Sequence, residues 1–367
     1  LTALNFNLFC NFDISNLYSI NSDFFEDAIF FLNRAVELNN KNYNALYEIA
    51  EWHFEKENYR KAIETYDKLL ESKNKYNLAS LLGKTQAFHD MIIESGEYKE
   101  NEETNKDLDE AFNLIDKVIE ILGDDIKSVQ YKYYKGNLYS YKGEIDKAKE
   151  EFEKIIKDTK DIDDWLYQRI SEFYYNYAEN KDDYKKSLEY LEKIKDKKTS
   201  IYNLMIFVNY ELKNYKKIVE ICEEFLNKFL YLNNKDFEDI EENNIYYIRF
   251  IYAYSLQMIG SNNYDLIVEN YKICLNDETL DKALIYRSIA KIMMYNMDYK
   301  YYLEGIENLK LSMQLNDALS YYLYAKELFY GNIIAPCPEL AIGLANNSIE
   351  LDANLECAYI IMGRGYE

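Results

Sequence analysis

The sequence predicts an all-α protein, an α-solenoid of about nine helix-turn-helix repeats, and two general observations point that way. The first is the scarcity of punctuating residues: 367 residues hold 11 glycines and 2 prolines, against roughly 12% in average usage. Tight turns and strand-rich folds need these residues, so their scarcity favours helices joined by short polar turns. The second is length, because single cores stop growing near roughly 250–300 residues. An elongated array of small packed units accommodates such a chain.

A recurring spacing of small and aromatic residues shows where the units lie. In the stretch YYKGNLYSYKGEIDKAKEEFEKI, Gly136 precedes Ala148 by twelve residues, and Phe152 follows Ala148 by four. Two helices approach at ~8 Å rather than ~10 Å only where the facing side chains are small. We therefore expect Gly136 and Ala148 to mark the contact between two paired helices. Large rings such as Phe152 would then fill the space between one pair and the next.

The same arrangement continues along the chain. Between residues 44 and 72, Ala50 and Ala62 are also twelve residues apart, and Tyr66 follows four residues later. Apolar residues on both sides of the intervening turn are spaced by three and four, which is helical. Extending this frame predicts one domain over residues 1–367, with repeats at approximately 1–41, 43–75, 76–125, 126–160, 161–198, 199–237, 238–277, 278–317 and 318–352 and a partial repeat at 354–367.

These spacings resemble the tetratricopeptide repeat family, whose repeats carry the pattern G-x-x-Y…A-x-x-x-F. Gly136, Tyr139, Ala148 and Phe152 match it letter for letter. Residues 318–352 are similar to the related Sel1-like repeat, as a variant within the same domain. The resemblance implies a right-handed superhelix whose concave face is lined by the first helix of each repeat.

One sub-class of the resembled family clamps a C-terminal carboxylate with Lys, Asn and Arg. Asn137 stands at one such position, but Tyr133 occupies the place of the required lysine. We therefore expect no carboxylate clamp in this chain.

The net charge of the chain restricts the classes of partner that it is expected to bind. Lys and Arg number 43 and Asp and Glu number 65, which gives a net charge of −22 at pH 7. A nucleic-acid partner is not expected, because phosphate binding requires a basic footprint. The balance favours a basic or neutral protein partner. A membrane span is not expected either, since the sequence has no run of 18 apolar residues.

The sequence predicts no catalytic residues, no cofactor and no metal, and hence no enzyme. The five cysteines lie far apart without a C-x-x-C spacing, which favours reduced thiols in a cytoplasmic protein. No phosphate loop, nucleophile elbow or H-E-x-x-H motif is present. Of the two histidines, His53 stands where the resembled family places a packing aromatic. His89 is predicted to be a surface or cap residue.

Two acidic stretches interrupt the repeats. The main one, ESGEYKENEETNKDLDE at residues 94–110, has many carboxylates and no apolar period. It predicts a solvated, mobile loop, with an acidic contact site for a basic partner as the alternative. The stretch at residues 236–244 receives the same interpretation.

Aromatic residues recur on the predicted first helices at positions that face the concave side. Tyrosine is frequent throughout, with 39 residues, so a compositional bias of the genome is one explanation. The other is an aromatic groove for an extended or helical peptide, because tyrosine offers large contact area at small entropic cost. The predicted groove residues are Tyr47, Phe54, Tyr133, Asn137, Tyr141, Phe207, Tyr210, Phe250, Tyr254, Tyr322 and Phe329.

Two functions follow from this groove. The first is a protein-interaction scaffold that binds a peptide or protein segment. The alternative is a regulatory or substrate-presenting repeat region of a larger enzyme or sensor. The start at Leu1 without methionine and the end at Glu367 lead us to expect a piece of a longer protein.

Overall fold

The computed structural model describes residues 22–71, 74–96, 98–231, 242–296, 298–330 and 336–366. Over these residues the protein has eighteen α-helices, one short 3-10 helix and no strand, which confirms the all-α prediction. The predicted acidic stretch at residues 236–244 lies largely outside the described residues. The helices are α1 (Ser22–Leu38), α2 (Tyr43–Glu55), α3 (Tyr59–Leu70), α4 (Asn77–Glu94), α5 (Glu102–Leu122), α6 (Ser128–Tyr141), α7 (Ile145–Asp158), α8 (Asp164–Asn176), α9 (Lys181–Lys193), α10 (Thr199–Glu211), α11 (Tyr215–Tyr231), α12 (Glu242–Met258), α13 (Tyr264–Cys274), α14 (Lys282–Tyr295), α15 (Tyr302–Gln314), α16 (Ala318–Tyr330), α17 (Pro338–Leu351) and α18 (Glu356–Gly365).

Within each of the two compact units into which the chain divides, consecutive helices pack against one another in pairs, and each pair contacts the next, as in an α-solenoid. The chain divides into two compact units, Leu1–Ile162 and Asp163–Glu367, which we call unit 1 and unit 2. Helices α1 to α7 lie in unit 1, and α8 to α18 lie in unit 2. A single continuous domain over residues 1–367 and a right-handed superhelix stay predictions.

Two close helix contacts in unit 1, one within a pair and one between pairs, depend on a glycine. A Cβ atom built on Gly136 of α6 would overlap the ring of Phe152 of α7, which is fully buried. At Gly83 of α4, the same added atom would come within 2.6 Å of the ring of Tyr66 of α3. The aromatic ring therefore packs directly on the glycine, closer to the helix contact than the sequence pattern predicts.

In the first helix pair of unit 2, α8–α9, two serines occupy the close helix contact. The Ser171 and Ser187 hydroxyls lie 2.8 Å apart between α8 and α9, and both side chains are fully buried. The Ser171 hydroxyl also donates to the Ser187 carbonyl at 2.9 Å. Small size and satisfied hydrogen bonds together permit polar residues at this contact.

The turn inside four of the described pairs has the same backbone geometry. Glu57, Gly143, Lys213 and Gly260 adopt positive φ angles of 57°, 78°, 56° and 71°. After α6, the Gly143 amide donates to the Ser140 carbonyl and the Glu144 amide donates to the Tyr139 carbonyl. These two bonds form a Schellman cap, which ends a helix with one residue in the left-handed region. Two of the four positions are glycine, and the backbone is strained at the other two, Glu57 and Lys213.

The acidic stretch at residues 94–110 is mostly helical, which corrects the predicted loop. Helix α4 ends at Glu94 and α5 begins at Glu102, with Asn101 capping the Thr104 amide through its side chain at 2.9 Å. Arg60 forms salt bridges with Glu103 at 2.9 Å and Asp107 at 2.6 Å. The helix dipole favours carboxylates in a first helical turn. The stretch therefore begins a helix although its apolar residues show no helical spacing.

We expect Gly136→Leu to lower the free energy of unfolding by ~1–3 kcal/mol, because the new side chain cannot share space with Phe152. Thermal melting followed by circular dichroism measures the change. Gly343→Leu is the matched control, since nothing lies within 4 Å of a Cβ atom built on this helical glycine. Equal melting temperatures for the two variants would show that the α6–α7 contact is not the close one.

We expect Lys213→Gly to raise the free energy of unfolding by ~1 kcal/mol, because glycine relieves the left-handed strain at this turn. Chemical denaturation monitored by circular dichroism provides the measurement. Lys213→Ala removes the same charge but keeps a Cβ atom, so we expect little change. A stabilising effect of alanine equal to that of glycine would assign the gain to charge instead of backbone strain.

Candidate functional site

A cleft of about 210 Å³ opens among α2, α3, α4 and α6 of unit 1, and we call it the unit 1 cleft. Tyr47, Glu51 and Phe54 share one face of α2 because they are four and three residues apart. Tyr66 of α3 and Tyr131 of α6 complete its polar and aromatic lining. Two predicted groove residues, Tyr47 and Phe54, thus lie in one cavity. The other lining residues are Ala79, Leu82, Gly83 and Gln86.

The unit 1 cleft has a negative character. The Tyr66 hydroxyl donates to the Glu51 carboxylate at 2.5 Å. Burial and the adjacent Glu51 raise the pKa of the Tyr66 and Tyr47 phenols. Burial and the Glu51 and Glu55 carboxylates raise the pKa of Glu48 on the same helix. Each shift has the sign expected where negative charge collects in a partly desolvated place.

Tyr133, a predicted groove residue, belongs to the core of unit 1. Its side chain is 9% exposed, and its ring lies 5.6 Å from that of Phe152. Tyr133 precedes Gly136 by three residues and so shares the helix face that packs on α7. The structure therefore corrects its predicted place on an open surface.

Asn137 and Tyr141 face neighbouring side chains of unit 1. The Asn137 amide nitrogen lies 3.5 Å from Nε2 of His89, and the His89 ring stacks on Tyr134 at 3.9 Å. His89 is buried, so its predicted place at the surface was wrong. The Tyr141 hydroxyl lies 2.9 Å from Oγ of Ser95. These two predicted groove residues do not line the unit 1 cleft.

Unit 2 brings aromatic side chains of three first helices into contact. The Tyr175 ring of α8 stacks on Phe207 of α10 with centroids 6.3 Å apart. Phe207 in turn lies 5.9 Å from Tyr247 of α12. Phe207 is 38% exposed, whereas Tyr175 and Tyr247 are half-buried. The three rings form a continuous row across successive helix pairs.

A second ring cluster lies on the same helices. Tyr210 of α10 is 43% exposed, and its ring lies 6.3 Å from Tyr254 of α12. Tyr215, at the start of α11, contacts both rings at 6.2 and 6.1 Å. Because Phe207 and Tyr210 are three residues apart on α10, the two clusters share a helix face. We call the six residues the aromatic band: Tyr175, Phe207, Tyr210, Tyr215, Tyr247 and Tyr254.

The remaining predicted groove residues are half-buried packing residues. Phe250 contacts the fully buried Tyr271, with ring centroids 5.7 Å apart. Tyr322 packs against the buried clusters on either side of α16, and burial raises its pKa. Phe329 packs against the second of these clusters. None of the three belongs to the aromatic band as defined.

Sequence reasoning missed half of the aromatic band, although a signal was present for two of its members. Tyr175 follows the small residue Ser171 by four, just as the predicted Tyr210 follows Ile206 by four. Tyr247 precedes Tyr254 by seven residues, which is two helical turns. Tyr215 lies on a second helix, and no position in the repeat frame indicated it.

The described residues offer little for metal or thiol chemistry. No group of three or more His, Cys, Asp or Glu side chains that could hold a metal ion occurs among them. Burial raises the pKa of the Cys222 thiol, and that of Cys274 to about 12. Both thiols therefore stay protonated at neutral pH. In the part of the chain that the structure covers, no helix combines the length and apolar character needed to cross a membrane.

Two segments match models of the tetratricopeptide repeat, at residues 44–72 and 129–157. These are the segments of α2–α3 and α6–α7, where the spacing of small and aromatic residues is clearest. These two segments are therefore tetratricopeptide repeats, which generally mediate protein–protein interaction. No curated protein matches the sequence.

Several solved structures are similar at low sequence identity. The C-terminal part of a TPR repeat-containing protein from Cytophaga hutchinsonii is 15% identical, over 86% of this chain and 99% of that one, with a TM-score of 0.47. A Sel1 repeat protein from Oxalobacter formigenes is 13% identical, over 82% and 83%, with a TM-score of 0.44. A tetratricopeptide repeat protein from Parabacteroides merdae is 14% identical, over 79% and 99%, with a TM-score of 0.39.

The buried phenols predict a loss of stability at alkaline pH. Burial raises the pKa of Tyr131 to about 12. It is also the main cause that raises the pKa of Tyr247 to about 12. The pKa of a tyrosine in an unfolded chain is ~10. Above pH ~10 the unfolded chain loses these protons while the folded chain keeps them. The stabilisation is therefore complete below pH ~10 and is lost as pH rises towards 12.

We expect Tyr131→Phe to flatten this alkaline decline, because the variant has one less phenol to ionise on unfolding. Denaturant midpoints measured between pH 9 and pH 12 give the slope. Tyr299→Phe, at a ring that is 70% exposed, is the matched control. Equal slopes for both variants would contradict the role of the buried phenol.

Proposed function

We propose that this protein is an interaction scaffold that binds a peptide or protein segment on the aromatic band of unit 2. The observation that carries the proposal is a pair of neighbouring clusters of three contacting rings each, from α8, α10, α11 and α12, with two of the six rings more than one third exposed. Connected apolar surface of this kind marks interaction sites on folded proteins, whereas scattered exposed apolar residues do not.

The chemistry of the band suits a partner that brings both apolar side chains and a hydrogen-bonding backbone. Five of the six residues are tyrosines, which present a rigid apolar face and a hydroxyl at its edge. Few buried anchors provide most of the binding energy in typical interfaces, and tyrosine is prominent among them. A row of rings over three successive first helices offers such anchors to one continuous segment.

Compositional bias alone accounts less well for this arrangement. Bias would place tyrosines at the surface without regard to one another, as at Tyr366, which is 76% exposed and lies outside the band. In the band, ring contacts of 5.9 to 6.3 Å join residues from different helices. A segment held there would serve a free scaffold or a repeat region that presents a substrate to a catalytic domain equally well.

We expect Phe207→Ala combined with Tyr210→Ala to weaken partner binding more than tenfold, which corresponds to about 1.4 kcal/mol. A partner would first be captured by the wild-type protein, and its affinity for each variant then measured by calorimetry. The loss should persist at high salt, because desolvated aromatic contacts are not screened by ions.

The matched control combines Tyr299→Ala with Tyr366→Ala, which removes two exposed rings outside the band. We expect it to bind the partner as the wild type does. If the control loses affinity while the folded band variant binds normally, the binding surface lies elsewhere on the protein.

A further inference from the structure

The unit 1 cleft contains negative charge that the protein does not neutralise. Glu51, the carboxylate that lines the cleft, forms no salt bridge with any residue that the structure describes, although its side chain is partly buried. Its neighbours are neutral phenols: the Tyr66 hydroxyl donates to Glu51, and the Tyr47 phenol also lies against it. Partly buried carboxylates without a cation are unfavourable, since burial weakens hydration of the charge. A positive group placed beside Glu51 would remove this penalty.

A second feature of the cleft also lacks a partner. Tyr131 is 5% exposed and lines the cleft, yet its hydroxyl forms no hydrogen bond within the described part of the chain. The hydroxyl oxygen itself is still reached by water, so it is open to a donor that enters the cleft. A phenol oxygen accepts hydrogen bonds, so an incoming N–H group would satisfy Tyr131 while it neutralises Glu51.

The walls and size of the cleft restrict what this positive group is. Tyr47, Phe54 and Tyr66 supply aromatic surface, which attracts cations through the ring faces. The volume of about 210 Å³ is below the roughly 300–1,000 Å³ typical of sites for drug-sized ligands. One long side chain fits such a space, and its methylene groups would contact the rings.

We propose that the unit 1 cleft binds a single basic side chain, arginine or lysine, of a partner protein segment. Arginine fits best, because its guanidinium donates several hydrogen bonds and stacks on aromatic faces at the same time. A neutral apolar side chain fits poorly, since it would displace water from the Glu51 carboxylate without supplying a hydrogen bond or a positive charge in its place. The net charge of −22 favours the approach of a basic segment. None of the residues of the aromatic band takes part.

Calorimetric titration of the full chain with blocked tripeptides tests this inference. The probes are acetyl-Ala-Xaa-Ala-amide with arginine, lysine, norleucine or glutamate as the central residue. We expect the arginine and lysine peptides to bind at least tenfold more tightly than the norleucine peptide, and the glutamate peptide not to bind. Equal affinity for arginine and norleucine, or no binding of either basic peptide at 10 mM, would overturn the proposal.

Two substitutions locate the site. Glu51→Gln keeps the shape and an acceptor for Tyr66, and we expect it to weaken arginine-peptide binding at least tenfold. Tyr131→Phe removes only the unpartnered hydroxyl and should weaken it severalfold. Glu71→Gln, an exposed carboxylate at the end of α3, is the charge-matched control and should change nothing.

The outcome is independent of the proposed function. Phe207→Ala with Tyr210→Ala should leave binding of the arginine peptide unchanged, since these residues belong to unit 2. If a folded Glu51→Gln protein binds the peptide as tightly as the wild type, the basic side chain does not occupy the cleft. The peptide comparison on the wild type decides the question even if a variant fails to fold.

Discussion

Packing of an aromatic ring onto a glycine or another small residue is the contact on which the helix pairs depend. Where Phe152 covers Gly136 and Tyr66 covers Gly83, no atom could be added to the glycine without displacing the ring. Phe152 of α7 and Gly136 of α6 belong to the same pair. Tyr66 of α3 instead contacts Gly83 on α4, the first helix of the next pair. The same kind of contact thus joins helices within a pair and between pairs. A solenoid built this way needs no distant contacts to fold, because each pair is stabilised by its neighbours.

Hydrogen bonds from tyrosine to carboxylate supply much of the specific connection between helices in this acidic chain. Glu327 of α16 is 1% exposed, and both of its oxygens accept hydrogen bonds, at 2.7 Å from Tyr295 and at 2.5 Å from Tyr302. The Tyr252 hydroxyl similarly donates to Glu223 at 2.9 Å. A protein with far fewer cations than carboxylates can satisfy buried acids with phenols, since a neutral donor avoids the cost of burying a second charge. Abundant tyrosine is therefore partly structural.

The aromatic band and the unit 1 cleft are two surfaces that remain open to a partner. In the band, rings contact one another yet stay open to solvent, as Phe207 and Tyr210 do. In the cleft, Glu51 has a phenol donor but no cation, and the Tyr131 hydroxyl has no partner among the described residues. Exposed rings in mutual contact and a partly buried carboxylate without a cation are reasons to expect a ligand. The two surfaces call for different chemistry, apolar and backbone contacts in one and a positive charge in the other.

The sequence by itself determined the helical class, the repeat spacing and the small residues at the helix contacts. These features depend on neighbours within one or two helices, so a local pattern such as Gly136, Ala148 and Phe152 contains them. It also identified Tyr47, Phe54, Phe207, Tyr210 and Tyr254 as residues of the first-helix surface. Only the tertiary structure decided that Tyr133 is buried, that residues 102–110 begin a helix, and that Tyr175, Tyr215 and Tyr247 join the band. Burial and ring contact depend on which helices meet and at what rotation, and residues far apart in the sequence determine both.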